Sequence, residues 1–524
     1  MDNTETFYRF NGLTTIATLI SSSFIFMPQA KLHPAATWLT RLQAMGFGVL
    51  LVVLIEGGFR LAGFGGDEIG EDPFVGFSAM EPLFGLNATT NRYELRPERS
   101  TYFVSDGFYR HKDSDTFRIF VLGGSTVQGR PYSIETAFPR WLQINLELAY
   151  PEKKFEVVNC GGISYASYRL VPILKECLNY EPDLFILCTG QNEFLEARTY
   201  GAIKSLAQSL GGPVKTIRTL ASYQALDSLY QSVTGAEAKK EAYKKPTLKM
   251  EVDAFLDYKR GLSAYHRDPE WREGVIAHFK ENVRRIHTIS EEADVPLVVL
   301  NPPVNLKDTP PFKSEHTSTL SESQKAAFQD YLNQAQEHYQ GDVAKAAELL
   351  EWALELDPNY ALTHYSLAHC YLALANHAKA KNHFTAALNE DICPLRLLPS
   401  MRTFVNEYCE TQGIPSLDLQ PLLTDYSGEA VIGAGILVDH VHPSIKGHQV
   451  IGQETTKLLF KSILPQPSSP EWKSGRSKAY KTQLDTLDGL YYARGQIRLD
   501  NLMDWTKGQT EGPPIEMHVP IDRQ

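Results

Sequence analysis

The stretch R-I-F-V-L-G-G-S-T-V-Q-G, residues 118–129, decides how we expect this chain to fold. Ile119–Leu122 is a continuous apolar run rich in β-forming residues, which is typical of a parallel strand covered on both faces. Gly123 and Gly124 then allow a tight turn that residues with a Cβ would resist. Ser125 should therefore lie at the carboxyl end of a strand, where open α/β sheets bind their ligands. A structural turn or a phosphate-binding loop would show the same local pattern, so the motif needs support from the rest of the chain.

Length and composition narrow the class of protein. A chain of 524 residues exceeds one ordinary hydrophobic core, so more than one structural unit is expected. A net charge of −11 at pH 7, with no extended basic face, argues against binding to nucleic acid. The 6 cysteines show neither C-x-x-C spacing nor the density of a disulfide scaffold, so we expect small buried apolar side chains rather than zinc ligands.

Apolar runs and helical segments alternate downstream of Ser125, and each run resembles the first. Strands are predicted at Phe155–Asn159, Leu184–Cys188, Pro296–Asn301 and Pro415–Leu419, with helices at Ala137–Tyr150, Leu170–Tyr180 and Met401–Thr411. Alternation at this spacing predicts right-handed crossovers and parallel strands. We therefore predict an α/β fold: a flavodoxin-like three-layer α/β/α domain with a five-stranded parallel sheet.

The amino-terminal part contains a marginal membrane span, Leu42–Phe59, whose uninterrupted apolar part Ala44–Ile55 is short for a bilayer. An earlier apolar stretch, Leu13–Met27, could be a second span or a signal-like segment. Basic residues precede the stronger span and acidic residues follow it, so we expect a membrane-anchored protein whose catalytic domain is extracytoplasmic, on the periplasmic side. A buried amphipathic helix is the alternative interpretation.

A second kind of pattern begins after a proline-rich loop at Asn301–His316. Small and apolar residues recur with the period of about 34 residues that is typical of tetratricopeptide repeats. The matched pairs are Ala346 with Ala380, Leu350 with Phe384, and Ala353 with Ala387. Two repeats cannot bury their faces alone, so we expect them to dock on the catalytic domain. A helical hairpin with coincident spacing would produce the same pattern.

These patterns divide the chain into predicted units. They are a membrane anchor region at 1–66, a collar at 67–116, a catalytic domain at 117–320 and 395–465 with a helical insertion at 202–268, a repeat-like helical insertion at 321–394, and a tail at 466–524.

Four segments at the predicted strand ends resemble the ordered blocks of the SGNH/GDSL hydrolase superfamily. They read G-G-S-T at 123–126, N-C-G-G-I-S at 159–164, G-Q-N-E at 190–193 and D-H-V-H at 439–442. The resemblance covers roughly 117–459, and membrane-anchored bacterial members with tetratricopeptide-like repeats look closest. The first block departs from the family's G-D-S form, and the third replaces its final aspartate by glutamate.

The resemblance assigns a role to each block. It implies that Ser125 is the nucleophile and that Asp439 and His442 complete a triad. It places oxyanion donors at the Ser125 N–H and the Asn192 amide. The second block would contribute Ser164, or Gly162 after a small shift in register.

Chemistry supports the same roles. Serine needs a base to become nucleophilic at neutral pH, and an imidazole can take and return its proton. Asp439, three residues before His442, would fix the imidazole tautomer. His440, His442 and His448 could together suggest a metal site. No carboxylate stands at helical ligand spacing from them, so we predict neither metal nor cofactor. An α/β-hydrolase would require G-x-S-x-G, which the nucleophile stretch lacks.

The predicted function is serine-dependent hydrolysis of an ester through an acyl-enzyme by a carboxylic ester hydrolase. The predicted substrate is an acylated glycan or another extracytoplasmic ester. An O-acyltransferase that passes the acyl group to a polysaccharide would use the same residues. An inert membrane scaffold that binds a protein partner through its repeats is the alternative from another class.

Overall fold

The computed structural model describes residues 80–196, 261–469 and 471–509, together with Phe47, Gly58 and Val252. From residue 80 onward these residues belong to one compact unit. Within them, no helix combines the length and apolar content needed to cross a membrane. Apart from Phe47 and Gly58, the predicted span Leu42–Phe59 lies outside the described residues, as do the stretch Leu13–Met27 and most of the 202–268 insertion, so those predictions stay predictions.

The predicted collar contains a small sheet of its own. Strands β1 (Phe84–Asn87), β2 (Arg92–Leu95) and β3 (Phe108–Tyr109) form an antiparallel sheet in the order β1-β2-β3. The sequence analysis assigned no strands to the collar, because strands of two to four residues are too short to show a period-two pattern. The Glu176 carboxylate accepts hydrogen bonds from the backbone N–H groups of Leu83 and Phe84, which ties this sheet to the main domain.

The main sheet has five parallel strands, as predicted. They are β4 (Thr116–Gly123), β5 (Lys154–Gly161), β6 (Leu184–Cys188), β7 (Leu297–Asn301) and β8 (Ser416–Asp418). Their spatial order is β5-β4-β6-β7-β8, the flavodoxin-like order in which the first strand lies between the second and third. The predicted flavodoxin-like sheet is therefore confirmed.

Helices flank this sheet and continue into the insertion and the carboxyl-terminal region. In chain order they are α1 (Ser125–Gln128), α2 (Phe138–Ala149), α3 (Ser167–Cys177), α4 (Pro269–Glu292), α5 (Glu322–His338), α6 (Val343–Leu356), α7 (Ala361–Ala373), α8 (His377–Glu390), α9 (Pro399–Gln412), α10 (Leu419–Ser427), α11 (Ile445–Ser462), α12 (Trp472–Asp485) and α13 (Gly489–Gln509).

Alternate residues of β4 face two separate cores. Phe120 and Leu122 pack in the core that includes apolar residues of α3 and α4. Ile119 and Val121 pack in the core that includes residues of α2 and α11. All four side chains are fully buried, and each contributes about 2 kcal/mol of hydrophobic stabilisation. The domain therefore has the predicted three layers, and both faces of the strand that precedes Ser125 are covered.

Helices α5 to α8 form the repeat insertion and dock on the proline-rich loop that follows β7. The Tyr365 hydroxyl on α7 donates to the Lys307 carbonyl oxygen at 2.7 Å. The Leu362 N–H, on the same helix, donates to Ser314 Oγ at 3.0 Å. One face of α7 is therefore occupied by the chain's own loop, as we expected of repeats too few to be stable alone.

A buried ion pair ties the end of the insertion to this loop. Arg396 Nη2 lies 3.2 Å from Asp391 Oδ2, and both side chains are buried. Burial raises the pKa of Asp391 to about 6, while the charge of Arg396 opposes that shift. Arg396 Nη1 also donates to the carbonyl oxygens of Asn305 and Thr309. The arginine thus holds together the end of the insertion and the start of the loop.

Replacing this arginine should destabilise the fold strongly. In Arg396→Met the Asp391 carboxylate loses its buried counter-ion, and we expect the free energy of unfolding to fall by roughly 3–5 kcal/mol in denaturant titrations. Arg284→Met is the control, since Arg284 pairs with Glu281 at the surface and should cost below about 1 kcal/mol. Equal losses in the two variants would show that the buried pair does not brace the loop.

The predicted tail packs on the domain as helices α12 and α13. Tyr480 of α12 lies against Trp141 of α2, with ring centroids 4.6 Å apart. The Tyr491 hydroxyl of α13 lies 2.8 Å from Thr136 Oγ1. The described part of the tail, up to residue 509, therefore extends the helical layer next to the segment that follows the nucleophile.

Candidate active site

Two glycines place Ser125, the predicted nucleophile, at the end of β4. The strand ends at Gly123, and Ser125 begins the short helix α1. A Cβ at Gly123 would lie 2.2 Å from the Cys188 carbonyl oxygen, and a Cβ at Gly124 would lie 2.6 Å from Asn192 Nδ2. Only glycine therefore allows the turn to pack this closely against β6 and the third block.

Ser125 and His442 are 317 residues apart in sequence but form a hydrogen bond. Ser125 Oγ lies 2.7 Å from His442 Nε2, and His442 Nδ1 lies 2.6 Å from Asp439 Oδ2. An ionised carboxylate can only accept hydrogen bonds, so Nδ1 carries the imidazole proton and Nε2 accepts from the serine hydroxyl. The three side chains form the arrangement required for general-base activation of serine.

The Asp439 carboxylate is buried but stays ionised. Burial by itself would raise its pKa, but interactions with His442 and His440 and several hydrogen bonds outweigh burial, and the net pKa lies well below its usual range. Oδ1 accepts the N–H groups of Val441 at 2.8 Å and His442 at 2.7 Å. The local turn D-H-V-H therefore fixes the carboxylate against the ring it orients.

The structure separates the two predicted second-block donors. The Gly162 N–H donates to the Gly123 carbonyl oxygen at 3.0 Å, so Gly162 is not available as an oxyanion donor. Ser164 has a positive φ of 62°, and within the described part of the chain its N–H has no hydrogen-bond acceptor. The neighbouring N–H groups of Ile163 and Tyr165 are bonded to carbonyl oxygens. Of the two alternatives, Ser164 is therefore the one that can donate.

The third predicted donor, Asn192, lies beside the nucleophile's turn. Its Nδ2 donates one hydrogen to the Tyr165 carbonyl oxygen at 3.2 Å, which leaves the second hydrogen free for a ligand. The Ser125 N–H, at the start of α1, also has no acceptor among the described residues. Three N–H donors therefore come from three strand ends that the parallel sheet brings to one edge.

Glu193 and Glu196 fix the third block to α3, and neither is a candidate for the chemistry. The Glu193 carboxylate accepts from the Ser167 N–H at 2.7 Å and the Ser167 hydroxyl at 3.0 Å, so a negative charge lies at the amino terminus of α3. Glu196 forms a buried ion pair with Arg169. Glutamate in place of the family's aspartate thus has a helix-capping role here.

Sequence reasoning missed Asn305, which holds the histidine-bearing loop. Its N–H donates to the His440 carbonyl oxygen at 2.9 Å, and its Nδ2 donates to the Asp439 carbonyl oxygen at 3.0 Å. Because Arg396 bonds to the Asn305 carbonyl oxygen, the repeat insertion is connected to the catalytic loop through two residues. An asparagine in a proline-rich loop carries no local signal for such a contact.

The two remaining histidines of the last block are buried and neutral. Burial lowers the pKa of His440 to about 4, against the opposing charge of Asp439, and lowers that of His448 to about 3. His448 Nδ1 accepts from the Phe138 N–H at 3.2 Å, and the His440 ring packs edge-on against Phe312. Among the described residues, no group of three or more histidine, cysteine, aspartate or glutamate side chains is arranged to hold a metal ion.

Sheet order and site together define the class of protein. It is a flavodoxin-like α/β protein with a hydrogen-bonded serine, histidine and aspartate at the carboxyl edge of the sheet. The tetratricopeptide repeat family model matches residues 338–391, which confirms the predicted repeats.

The solved structures similar to this chain include three ester hydrolases or lipases. A lipolytic protein of the G-D-S-L family from Desulfitobacterium hafniense is 10% identical, with a TM-score of 0.29, over 65% of this chain and 99% of that chain. A catalytic mutant of an acetylxylan esterase from Geobacillus stearothermophilus is 10% identical, with a TM-score of 0.29, over 67% and 96%. A GDSL-like lipase from Bacteroides thetaiotaomicron is 8% identical, with a TM-score of 0.26, over 68% and 93%. No curated protein matches the chain in sequence.

The neighbours from Desulfitobacterium hafniense and Bacteroides thetaiotaomicron are the two described as GDSL proteins. The chemistry of the site follows from this chain's own geometry. Ser125, His442 and Asp439 are joined by hydrogen bonds, and the N–H groups of Ser125 and Ser164 and one hydrogen of the Asn192 amide have no acceptor among the described residues.

Proposed function

We propose that this protein is a serine-dependent carboxylic ester hydrolase. The observation that carries the proposal is the continuous hydrogen-bonded path from Ser125 Oγ through His442 to Asp439. The predicted roles of these residues follow from it. Ser125 is the nucleophile, His442 the general base and acid, and Asp439 the group that orients the imidazole.

Acylation begins when Ser125 Oγ attacks the ester carbonyl carbon and its proton passes to His442 Nε2. The carbonyl oxygen becomes an oxyanion. The N–H groups of Ser125 and Ser164 and the Asn192 amide can stabilise it by donating hydrogen bonds. As the tetrahedral intermediate collapses, the bond to the alcohol breaks and His442 returns its proton to the leaving alkoxide. The products of this half-reaction are a free alcohol and an acyl ester on Ser125.

Deacylation repeats these steps with water. His442 Nε2 takes a proton from the water as its oxygen attacks the acyl carbon, and the same donors receive the oxyanion. Collapse breaks the bond to Ser125 Oγ, which regains its proton from His442. A carboxylic acid leaves, and the site returns to its starting state.

The position of the repeat insertion limits the scaffold alternative. Tyr365 and Leu362 on α7 bond to the chain's own loop, so a protein partner would have to bind a different face of the repeats. We also propose, from the charge pattern around Leu42–Phe59, that an amino-terminal segment anchors the catalytic domain outside the cytoplasm. An extracytoplasmic ester such as an acylated glycan would then be its substrate.

The proposed function is tested by labelling the full-length protein with a fluorophosphonate, which reacts only with an activated serine. We expect one labelled residue, Ser125, in the wild type. Ser125→Ala should show no labelling, and His442→Ala should show severely reduced labelling at unchanged thermal stability. Absence of labelling in a folded wild-type sample, or labelling that survives in Ser125→Ala, would overturn the proposal.

A further inference from the structure

The segment that follows Ser125 carries Arg130, a cation that has no counter-ion among the residues that the structure describes. Arg130 comes directly after Gly129, which ends α1, and its backbone N–H donates to the Ser125 carbonyl oxygen at 3.1 Å. Its Nε donates to Gln128 Oε1 at 3.0 Å. Gln128 Nε2 donates in turn to the Tyr102 carbonyl oxygen. The guanidinium therefore lies against the turn that presents Ser125.

The same turn borders the second block. Gln128 Nε2 also lies 3.5 Å from the Gly161 carbonyl oxygen, and the Tyr102 carbonyl oxygen accepts the Ile163 N–H. Ile163 immediately precedes Ser164, the predicted oxyanion donor. Arg130 is thus connected by short contacts to the turn that carries Ser125 and to the second block.

A second arginine reaches this segment from the carboxyl-terminal helix. Arg498 of α13 donates from Nη1 to the Tyr132 carbonyl oxygen at 2.7 Å, two residues from Arg130 but 366 residues from its own position in sequence. The helix lies close here, because a Cβ at Gly495 would be 2.3 Å from the Tyr132 ring. Tyr491 stacks on Tyr132, with ring centroids 6.0 Å apart. Arg130 and Arg498 therefore converge on one short loop.

Neither arginine has an acidic partner among the described residues. Burial and the charge of Arg498 lower the pKa of Arg130 to about 10, which still leaves it charged at neutral pH. A guanidinium has five N–H donors, yet each of these two makes a single side-chain hydrogen bond. Two partly buried positive charges without a counter-ion have an unfavourable electrostatic free energy. A bound oxyanion that pairs with both would lower that free energy.

We propose that Arg130 and Arg498 form a subsite for a negatively charged oxyanion group of the substrate, such as a carboxylate. The subsite deepens the proposed function, because it makes acidic esters the preferred substrates of the same serine. Planar guanidinium groups bind carboxylates through paired hydrogen bonds, which adds orientation to charge. The bound anion would orient the ester at the turn that carries Ser125.

Two matched pairs of esters test the subsite on the full-length enzyme. 4-Acetoxybenzoate and its methyl ester differ in charge on the alcohol side, whereas 4-nitrophenyl hydrogen succinate and its methyl ester differ on the acyl side. We expect the wild type to prefer the anionic member of at least one pair. Arg498→Gln should lower kcat/KM for that anionic ester by roughly tenfold or more and leave the neutral ester within about twofold. Arg498→Lys, which keeps the charge, should retain part of the preference.

Arg494→Gln is the matched control, since Arg494 is an exposed arginine on the same helix. Arg494→Gln should leave kcat/KM unchanged for both the anionic and the neutral ester. Equal losses for both members of a pair in Arg498→Gln would mean that Arg498 only supports the loop, and no charge preference in the wild type would also overturn the subsite.

The failure of the subsite can be separated from the failure of the proposed function. An enzyme that labels with fluorophosphonate but shows no charge preference refutes the subsite and leaves the esterase standing. A folded protein that neither labels nor cleaves any ester refutes the esterase. In that case, glucuronate should still raise the Tm of the wild type more than glucose does, and this difference should disappear in Arg498→Gln. If the wild type shows no such difference, or if Arg498→Gln retains it, the subsite is refuted too.

Discussion

Asp439→Asn is expected to lower kcat by about 10⁴-fold with little change in stability. Asparagine can keep its carbonyl oxygen where Asp439 Oδ1 accepts the N–H groups of Val441 and His442, so the turn should survive. Its amide nitrogen would then replace Oδ2 opposite His442 Nδ1, 2.6 Å away. A donor at that position forces the proton of a neutral imidazole onto Nε2. Nε2 can then no longer accept the proton of Ser125.

The measurement is kcat with an activated ester, together with the free energy of unfolding of each variant. Asp357→Asn is the matched control, because Asp357 is also buried and also bonded to a histidine, with His316 Nδ1 at 2.9 Å from its Oδ2. That change should reduce stability and leave kcat near the wild-type value. A small effect of Asp439→Asn on kcat would show that the tautomer of His442 is set by another group.

Asn192→Ala is expected to lower kcat by about a hundred- to a thousandfold and to change KM little. The amide would bind the oxyanion more strongly than the ground-state carbonyl, so its loss affects the transition state. Gly124→Ala should give part of the same loss without removing the amide, because a Cβ there lies 2.6 Å from Asn192 Nδ2 and would displace it.

Asn282→Ala is the control for Asn192→Ala, because it should lower stability without removing an oxyanion donor. Asn282 is a buried asparagine whose Nδ2 donates to Ser167 Oγ at 3.1 Å, behind the third block. Its loss should lower the free energy of unfolding and leave kcat within a few-fold. If Asn282→Ala and Asn192→Ala reduced kcat equally, the amide of Asn192 would have only a structural role.

Patterns in the local sequence were sufficient to predict the parallel strands, the sheet and the repeats. Apolar runs such as Ile119–Leu122 predicted buried parallel strands, because a strand covered on both faces must be apolar throughout. The alternation of strands with helices predicted the sheet, and the small-residue period predicted the repeats that the family model matches. The spacing of Asp439 and His442 was also informative, because three residues are enough to form the turn that bonds them.

Contacts between distant segments could not be predicted in the same way. The collar sheet was missed because its strands are short and are held by Glu176, far along the chain. Sequence placed the second-block donor at Ser164, or at Gly162 after a small shift in register, and could not choose between them. The difference is whether a backbone N–H is already bonded to another strand. No pattern near Asn305 indicated that it would hold the histidine-bearing loop.

The sequence by itself determined the strands, the glycine turn under Ser125, the chain order of the triad and the repeat period, because each depends on residues close together in the chain. Only the tertiary structure decided which second-block N–H is free, how the repeat insertion connects to Asp439, and that Arg498 reaches the loop that follows Arg130. Those features depend on hydrogen bonds and charges brought together across as many as 366 residues, and a linear pattern does not record such separations.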